Sequence, residues 1–335
     1  MNKSCYTKQT GSVLILALWT IALLTIFSMQ MALGIRQKVK LVSRLEDRSQ
    51  LRYIAEAGVK KAIAALRFDL ERNDYNYSAQ AKAWRHHNSD VFSHIKLGTG
   101  EATILYESFE SGLHNPVTRH GLVDEESKLN INAASEPELK RLIERVVTAK
   151  SNEAQELADA IIHWREDSAS SDEQAKHFLF ETMEEMRLVK GVTPHIFKKL
   201  FFFTTVYGDG QLNINTASPQ VLQALGLDRI LVDKFIRLRR GADGVENTGD
   251  DHIFYKTFDV TREMFNTIEL TALEVTQLDN LIASGKIKTN SSFFLIHSLG
   301  RLNKGQEVLN VFCVYNSVEN RIEYWRENAG VQSKS

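Results

Sequence analysis

The sequence predicts an α+β fold with a long N-terminal helix, a head built on an antiparallel sheet, and a large α-helical insertion in that head. Three observations predict it. An apolar run lies at residues 13–35, β-prone segments lie near 95–132 and near the C-terminus, and helical patterns fill the region between them. Separate blocks of strands and helices are typical of α+β proteins.

The composition limits the function classes. The chain has 335 residues, which suffices for two or three domains, and its net charge is −1. Because there is no surplus of lysine and arginine, the composition does not indicate a nucleic-acid-binding protein. The two cysteines, Cys5 and Cys313, cannot build a disulfide framework, so stability must come from packing.

The first predicted element is a membrane-spanning helix. Residues 13–35 are a run of 23 residues whose only polar side chains are hydroxyls and Gln30. About 20 such residues cross the hydrocarbon core. Lys3 and Lys8 favour a cytoplasmic N-terminus. The run exceeds the roughly 7–15 apolar residues of a cleaved signal peptide, so a retained single-pass anchor is predicted and a signal peptide is the alternative.

The same helix is predicted to continue from residue 12 to about residue 70. Gly34 and Gly58 are the only glycines between residues 12 and 97, and no proline precedes residue 116. Apolar residues recur at steps of three and four between Val42 and Leu66, as in an amphipathic helix. Its second half is therefore expected to pack against the head.

Shorter strands and helices are predicted in the rest of the chain from alternation, amphipathic periods and caps. The predicted strands lie within 95–110, 120–132, 291–301, 307–317 and 321–327. The predicted helices lie within 136–147, 152–164, 181–203, 217–227 and 231–240, and a polar loop is predicted at 241–251.

One phrase occurs twice. LNINAAS at residues 129–135 returns 83 positions later as LNINTAS at 212–218, with six of seven residues identical. The alternating leucine and isoleucine predict a short extended segment with one buried face, and the asparagine and serine or threonine that follow predict a helix cap. Each phrase is therefore interpreted as a strand-to-helix junction, with two unrelated common caps as the alternative.

Similar asparagine-rich phrases open the helix-hairpin-helix modules of DNA-binding proteins, whose Gly-hydrophobic-Gly hairpin binds phosphate with backbone amides. Here the hairpin reads GVT at 191–193 and lacks the second glycine. Lys190, Lys198 and Lys199 lie near it, although such lysines usually form a solvated face. A membrane-tethered helix-hairpin-helix DNA-binding protein is the alternative function, and salt-dependent binding would distinguish it.

The start of the chain resembles a type IV pilin or pseudopilin precursor. A short leader ends in Gly11, and Ser12 begins the apolar helix. The resemblance implies cleavage between Gly11 and Ser12 by a prepilin peptidase, followed by methylation of the new amine. Most members have glutamate as the fifth mature residue, where this chain has Leu16.

The missing glutamate, the length and the central motifs are similar to the K-type minor pseudopilins of type II secretion systems, the general secretion pathway protein K family. Those motifs are ADAIIHW at 158–164, the segment 184–208 and LNINTASPQVLQAL at 212–225. The resemblance covers nearly all of residues 11–325. It implies a pilin helix and a pilin-like antiparallel sheet head with a large α-helical insertion.

Five segments are predicted on this basis. They are a prepilin leader at 1–11, the transmembrane part of the pilin helix at 12–35, the amphipathic helix and first part of the head at 36–130, the α-helical insertion with helix-hairpin-helix-like elements at 131–225, and the remainder of the head at 226–335.

The resemblance also implies a role. The protein would help to start and cap a pseudopilus at its tip, with its anchor in the inner membrane and its head in the periplasm. Its implied partners are the I-type and J-type minor pseudopilins, the major pseudopilin, the prepilin peptidase and the inner-membrane secretion platform, without nucleic acid. An unpaired carboxylate in hydrocarbon is costly, so a tip subunit with no neighbour above it is expected to carry an apolar residue such as Leu16.

Family members can bind calcium through carboxylates of the insertion. The corresponding run, HWREDS, has His163, Glu166 and Ser168 where aspartates are expected, which argues against calcium there. A second group of oxygen donors in a glycine-containing loop suits Ca²⁺ better, with a solvated acidic turn as the alternative. This group consists of Asp243, Glu246, Asn247, Asp250 and Asp251.

No catalytic motif is present. The sequence has no GxSxG, no HExxH and no phosphate-binding glycine loop. Cys313 lies in an apolar strand-like run, where a thiol normally packs. We therefore expect no enzymatic activity. A generic anchored binding protein is a third interpretation, and it would keep its leader uncut.

Overall fold

A computed structural model describes residues 10–71, 89–108, 117–147, 149–166, 176–244, 250–303 and 307–331. The chain forms two compact units, Met1–Tyr53 and Ile54–Ser335. The helices are α1 (Thr10–Glu71), α2 (Ser89–Phe92), α3 (Glu136–Val147), α4 (Ser151–Arg165), α5 (Pro194–Leu200), α6 (Pro219–Ala224), α7 (Arg229–Arg239), α8 (Val260–Thr267) and α9 (Ala272–Ala283). Short 3-10 helices cover Glu125–Ser127, Met183–Leu188 and Thr257–Asp259.

The strands are β1 (Ile95–Leu97), β2 (Gly100–Ile104), β3 (Tyr106–Ser108), β4 (Val117–Arg119), β5 (Val123–Asp124), β6 (Leu129–Asn130), β7 (Thr204–Thr205), β8 (Leu212–Asn213), β9 (Ile287–Lys288), β10 (Phe293–Leu302), β11 (Glu307–Asn316) and β12 (Arg321–Val331).

The predicted continuous helix is confirmed as α1, which has 62 residues. Within the second unit its last turns bury Ala55, Val59 and Leu66. Gly58 lets the sheet approach closely, because a Cβ at this position would lie 2.3 Å from Ser298 Oγ. The Ser298 hydroxyl donates to the Ala55 carbonyl at 2.8 Å. The end of the amphipathic half, from Ile54 onward, therefore packs on the sheet, as predicted.

The sheet is antiparallel, with the strand order β1-β2-β10-β11-β12 and with β5 paired to one end of β10. The long strands β10 and β11 form a hairpin in which Ile296 lies opposite Cys313. Cys313 is fully buried, and burial raises the pKa of its thiol to about 12, so it packs as an apolar residue. The predicted C-terminal strands are confirmed, and every limit lies within four residues of the expected one.

Between β5 and β10 the chain forms the helical insertion. One hydrophobic core joins its buried residues from Leu129 to Ile287. The predicted boundary at residue 225 falls inside this core, between α6 and α7. Helices α8 and α9 lie where the sequence predicted only the remainder of the head, and Met264 and Leu278 bury their inward faces.

One segment differs from the prediction of extended structure across residues 120–132. Glu125–Ser127 form a 3-10 turn because the Asp124 side chain accepts a hydrogen bond from the Glu126 backbone at 2.9 Å. Side chains of this kind that bond their own backbone compete with strand pairing. The turn places a run of charged residues close to β10 and β8.

Candidate functional site

The N-terminal half of α1 is the first candidate surface. Gly11 and Ser12 lie in its first turn. The large apolar side chains from Val13 to Ile35 are about half exposed or more, and Leu16 is 67% exposed. Among the described residues, one helix is long and apolar enough to cross a membrane. This surface needs an apolar environment, whether lipid or other helices.

The two repeated phrases form two junctions of the same geometry. Leu129 and Leu212 each begin a two-residue strand that pairs in parallel with a later strand, at Thr204 and Ile287 respectively. All four residues are buried. The predicted extended segments with a buried face are confirmed.

The first asparagine of each phrase closes a turn over its own backbone. Asn130 Oδ1 accepts from the Asn132 amide at 2.8 Å, and Asn213 Oδ1 accepts from the Asn215 amide at 3.1 Å. This local bond replaces the strand ladder where the chain leaves the sheet. At the end of the second phrase the Ser218 hydroxyl accepts from the Val221 amide at 3.4 Å and caps α6, as predicted.

The side-chain amide of the second asparagine in each phrase both donates to and accepts from the backbone of one distant residue. Asn132 donates to the Phe180 carbonyl and accepts from the Phe180 amide, both at 2.9 Å. Asn215 makes the same pair with Phe254, at 2.8 and 2.9 Å. Each asparagine therefore ties its junction to a segment that follows the next two elements of the chain.

An arginine completes each junction. Arg165 donates to the carbonyls of Ile131 and Ala134, the latter at 2.8 Å. Arg239 donates to the equivalent carbonyls, at 3.2 Å to Ile214 and 2.6 Å to Ala217. Sequence reasoning missed both arginines, although each lies at the C-terminal end of an amphipathic helix, where cations are favoured.

The 3-10 turn and its neighbours form a buried charged cluster, which we call the acidic hub: Asp124, Glu125, Glu126, Lys128 and Lys288. Asp124 Oδ2 accepts from Asn213 at 2.9 Å, from Thr216 at 2.5 Å and from Ser291 at 2.6 Å. The hub therefore joins the second junction to the chain segment that enters β10. Sequence reasoning did not single it out.

Two ion pairs neutralise part of this charge. Lys128 Nζ lies 2.5 Å from Glu125 Oε1, and Lys288 Nζ lies 2.6 Å from Glu126 Oε1. Burial raises the pKa of Glu126, and the hydrogen bonds from Lys288 and from the Ser292 backbone oppose this rise only in part. These ion pairs and the hydrogen bonds of Asp124 link the insertion to the segment that enters β10.

The predicted calcium loop is described only in part. Glu246 and Asn247 lie outside the described residues. Asp250 Oδ2 accepts the backbone amides of Ala242 and Asp243, at 2.6 and 3.1 Å, so this carboxylate closes the loop after α7. Among the described residues, no group of three or more acidic, histidine or cysteine side chains could hold a metal ion. Calcium in this loop stays a prediction.

The HWREDS run ends α4. Ser168 lies outside the described residues. His163 packs edge-on against His177 with ring centroids 5.6 Å apart, and Glu166 lies 3.6 Å from the guanidinium of Arg165. These contacts give the described side chains structural roles.

The hairpin at Gly191 begins α5 as predicted. Gly191 has a φ of +89°, and the Thr193 hydroxyl accepts from the Ile196 amide at 3.3 Å. A second hairpin of this form joins α6 to α7, where the Asp228 carboxylate accepts from the Leu231 amide at 2.9 Å. A carboxylate at that position repels phosphate, so the second hairpin adds no support to the DNA-binding alternative, which stays untested.

Comparisons with known proteins found a match in structure. No family model and no curated protein sequence matches the chain. One chain of the crystal structure of the GspK-GspI-GspJ complex from the enterotoxigenic Escherichia coli type 2 secretion system superposes with a TM-score of 0.54 and 15% identity, covering 88% of this chain and 99% of that chain. This chain has a pilin-like α+β fold. The predicted α+β architecture is thereby confirmed, with its pilin helix, antiparallel sheet and helical insertion. At this identity the likeness establishes the fold alone.

Proposed function

We propose that the protein is a K-type minor pseudopilin that starts and caps the pseudopilus of a type II secretion system. The observation that carries this proposal is the likeness to a chain of the GspK-GspI-GspJ complex over 99% of that chain. The helical insertion belongs to that likeness, since it makes up much of the matched length. The work of the protein is then assembly and protein recognition, without catalysis.

The surface of α1 supports the anchoring part of the proposal. Its apolar half inserts as a single span in the inner membrane, and the head lies in the periplasm. Cleavage between Gly11 and Ser12 makes Ser12 the first residue and Leu16 the fifth. Leu16 puts no carboxylate in hydrocarbon, which suits a subunit that has no neighbour above it.

The next turns of α1 support the partner assignment. Leu41, Val42 and Leu45 lie beyond the apolar run and are 59–62% exposed. Exposed apolar side chains at helical spacing are typical of a helix that packs on other helices. We assign this stripe to the I-type and J-type minor pseudopilins, and the lipid-facing part to the major pseudopilin, the prepilin peptidase and the secretion platform.

The partner assignment is tested by co-expression with the I-type and J-type minor pseudopilins of the same cell. The full chain is extracted in mild detergent, and the complex is separated by size-exclusion chromatography. Val42→Glu combined with Leu45→Glu is expected to reduce recovery of the complex at least tenfold. Arg44→Glu, on the same helix, is the charge-matched control and should retain it. Equal recovery for both variants would contradict the assignment of this stripe.

A further inference from the structure

A cavity of about 380 Å³ opens between the sheet, the insertion and the small ribbon formed by β3 and β4. Leu295 and Phe312 line it from the sheet, Phe201–Phe203 from the insertion, and Tyr106 from the ribbon. Thr118 lies at its rim and is exposed. A cavity of this size is in the range that binds small ligands or large side chains.

The apolar walls of the cavity are mostly aromatic. Phe201 packs edge-on against Phe202, with centroids 6.2 Å apart, and the His297 ring stacks on Phe312 at 4.1 Å. Burial lowers the pKa of His297, so this imidazole is neutral at physiological pH. Aromatic walls favour an aromatic or large apolar guest, since offset and edge-on ring contacts add to the burial of apolar area, although the Arg326 guanidinium lies 4.9 Å from the Phe312 centroid.

Charged side chains also line the cavity, and their charges favour some guests over others. Lys128 is one of them and is 8% exposed. Within the described part of the chain, its ammonium has one hydrogen-bond acceptor, Glu125 Oε1, and lies 5.6 Å from the Phe201 centroid. An ammonium has three donors. Asp124 and Glu107 also line the cavity, so a neutral oxygen is a better acceptor for Lys128 than a second carboxylate.

The ribbon beside the cavity suits an extended chain. The strands β3 and β4 pair with each other, and no other described strand extends this two-stranded sheet. Peptides that add to a strand edge gain affinity from main-chain hydrogen bonds and specificity from pockets that take alternate side chains. The cavity lies directly against such a ribbon.

We propose that this cavity is a docking site for an extended segment of another polypeptide that carries an aromatic side chain. The ring enters between Phe201, Phe202 and Phe312. A neutral carbonyl of the segment accepts from Lys128. This site is independent of the apolar stripe on α1, and its test does not require the pseudopilus.

The test measures binding of capped peptides to the full chain in detergent by equilibrium dialysis. N-acetyl-Gly-Phe-Gly-amide is expected to bind at least tenfold more tightly than N-acetyl-Gly-Ala-Gly-amide. N-acetyl-Gly-Asp-Gly-amide should bind no better than the alanine peptide because its carboxylate would lie near Asp124. Equal binding of the phenylalanine and alanine peptides, or no binding of either, would overturn the proposal.

Two variants locate the binding. Thr118→Trp places an indole at the rim of the cavity and should weaken binding of the phenylalanine peptide at least tenfold. Thr276→Trp, on an exposed turn of α9, is the control and should leave binding unchanged. Lys128→Met with Glu125→Gln removes both charges of a buried pair together. This double variant should keep the preference for phenylalanine over alanine while weakening both peptides. An unaltered affinity in Thr118→Trp would place the binding elsewhere.

Discussion

The two junctions, 129–135 and 212–218, share every residue except one, and that one residue contributes to their different surroundings. Ala133 packs where Gly210 leaves room, since a Cβ on Gly210 would lie 2.4 Å from the Ala133 methyl. Thr216 takes the equivalent position and donates to Asp124 in the acidic hub. The repeated residues thus build the turn, and the second turn is attached to the hub both by the repeated Asn213 and by Thr216, the residue that differs.

The largest effect is expected for Asp124→Asn. This change removes the charge that accepts from Asn213, Thr216 and Ser291, and it turns an amide toward those donors. We expect a loss of about 3 kcal/mol in the free energy of unfolding, since hydrogen bonds to charged groups are the stronger ones. Urea unfolding of the full chain, followed by tryptophan fluorescence, measures it.

The control for that measurement is Asp209→Asn. Asp209 bonds Lys288 from outside the hub, and its side chain is 57% exposed. An exposed pair of this kind contributes at most about 1 kcal/mol. If the two variants lost equal stability, the hub would not be the link between the second junction and the sheet.

The arginines test whether the two turns are equivalent. Arg165→Met and Arg239→Met each leave two carbonyls without their donor, and each should cost about 2–3 kcal/mol. Arg237→Met, on the exposed face of α7, should cost less than about 0.5 kcal/mol. Denaturation midpoints of the three variants provide the comparison. If either Arg165→Met or Arg239→Met lost as little unfolding free energy as the control, the hydrogen bonds of that arginine would not be what stabilises its turn.

Thr216→Ala makes the two phrases identical. We expect a loss of about 1 kcal/mol from the missing hydrogen bond to Asp124. In an Asp124→Asn background the same change should cost less, because its partner is already altered. A double-mutant cycle of the unfolding free energies measures this coupling. Additive losses would mean that the hydroxyl acts on something other than Asp124.

The smallest effect concerns pH. Burial acts to raise the pKa of Glu138, but hydrogen bonds from Lys286 and from Ser135 outweigh it, and the pKa lies below its ordinary value of 4.5. Its contribution is therefore complete above that ordinary value and is lost as the pH falls through the lowered pKa. Glu138→Gln should flatten the decline in unfolding free energy between pH 5 and pH 3. An unchanged decline would rule out this carboxylate as its source.

The contribution of Glu126 to stability changes with pH in the opposite direction. Burial raises its pKa above 4.5, so the contribution of this group is present at low pH and is lost as the pH rises through the raised value. The two carboxylates therefore act against each other in the acid range. Measuring Glu138→Gln alone separates the first from the second.

Local patterns were enough to predict α1, the strands of the sheet and most helices, because spacing and caps act over a few residues. The repeated phrase likewise predicted the two strand-to-helix junctions. The partners of Asn132 and Asn215, and the roles of Arg165 and Arg239, depend on contacts between distant segments. Those contacts leave no periodic signal in one sequence, and neither does the hub, whose charged residues have the composition of a solvated turn.

The most direct test of the account is the intact mass of the protein from membranes of cells with and without an active prepilin peptidase. The active peptidase is expected to remove residues 1–11, leaving Ser12 at the N-terminus with or without one added methyl group. The same mass in both cells, or a cut after the apolar run, would contradict the proposal that the protein is a pseudopilin. The chain would then be an anchored protein of another kind with the same fold.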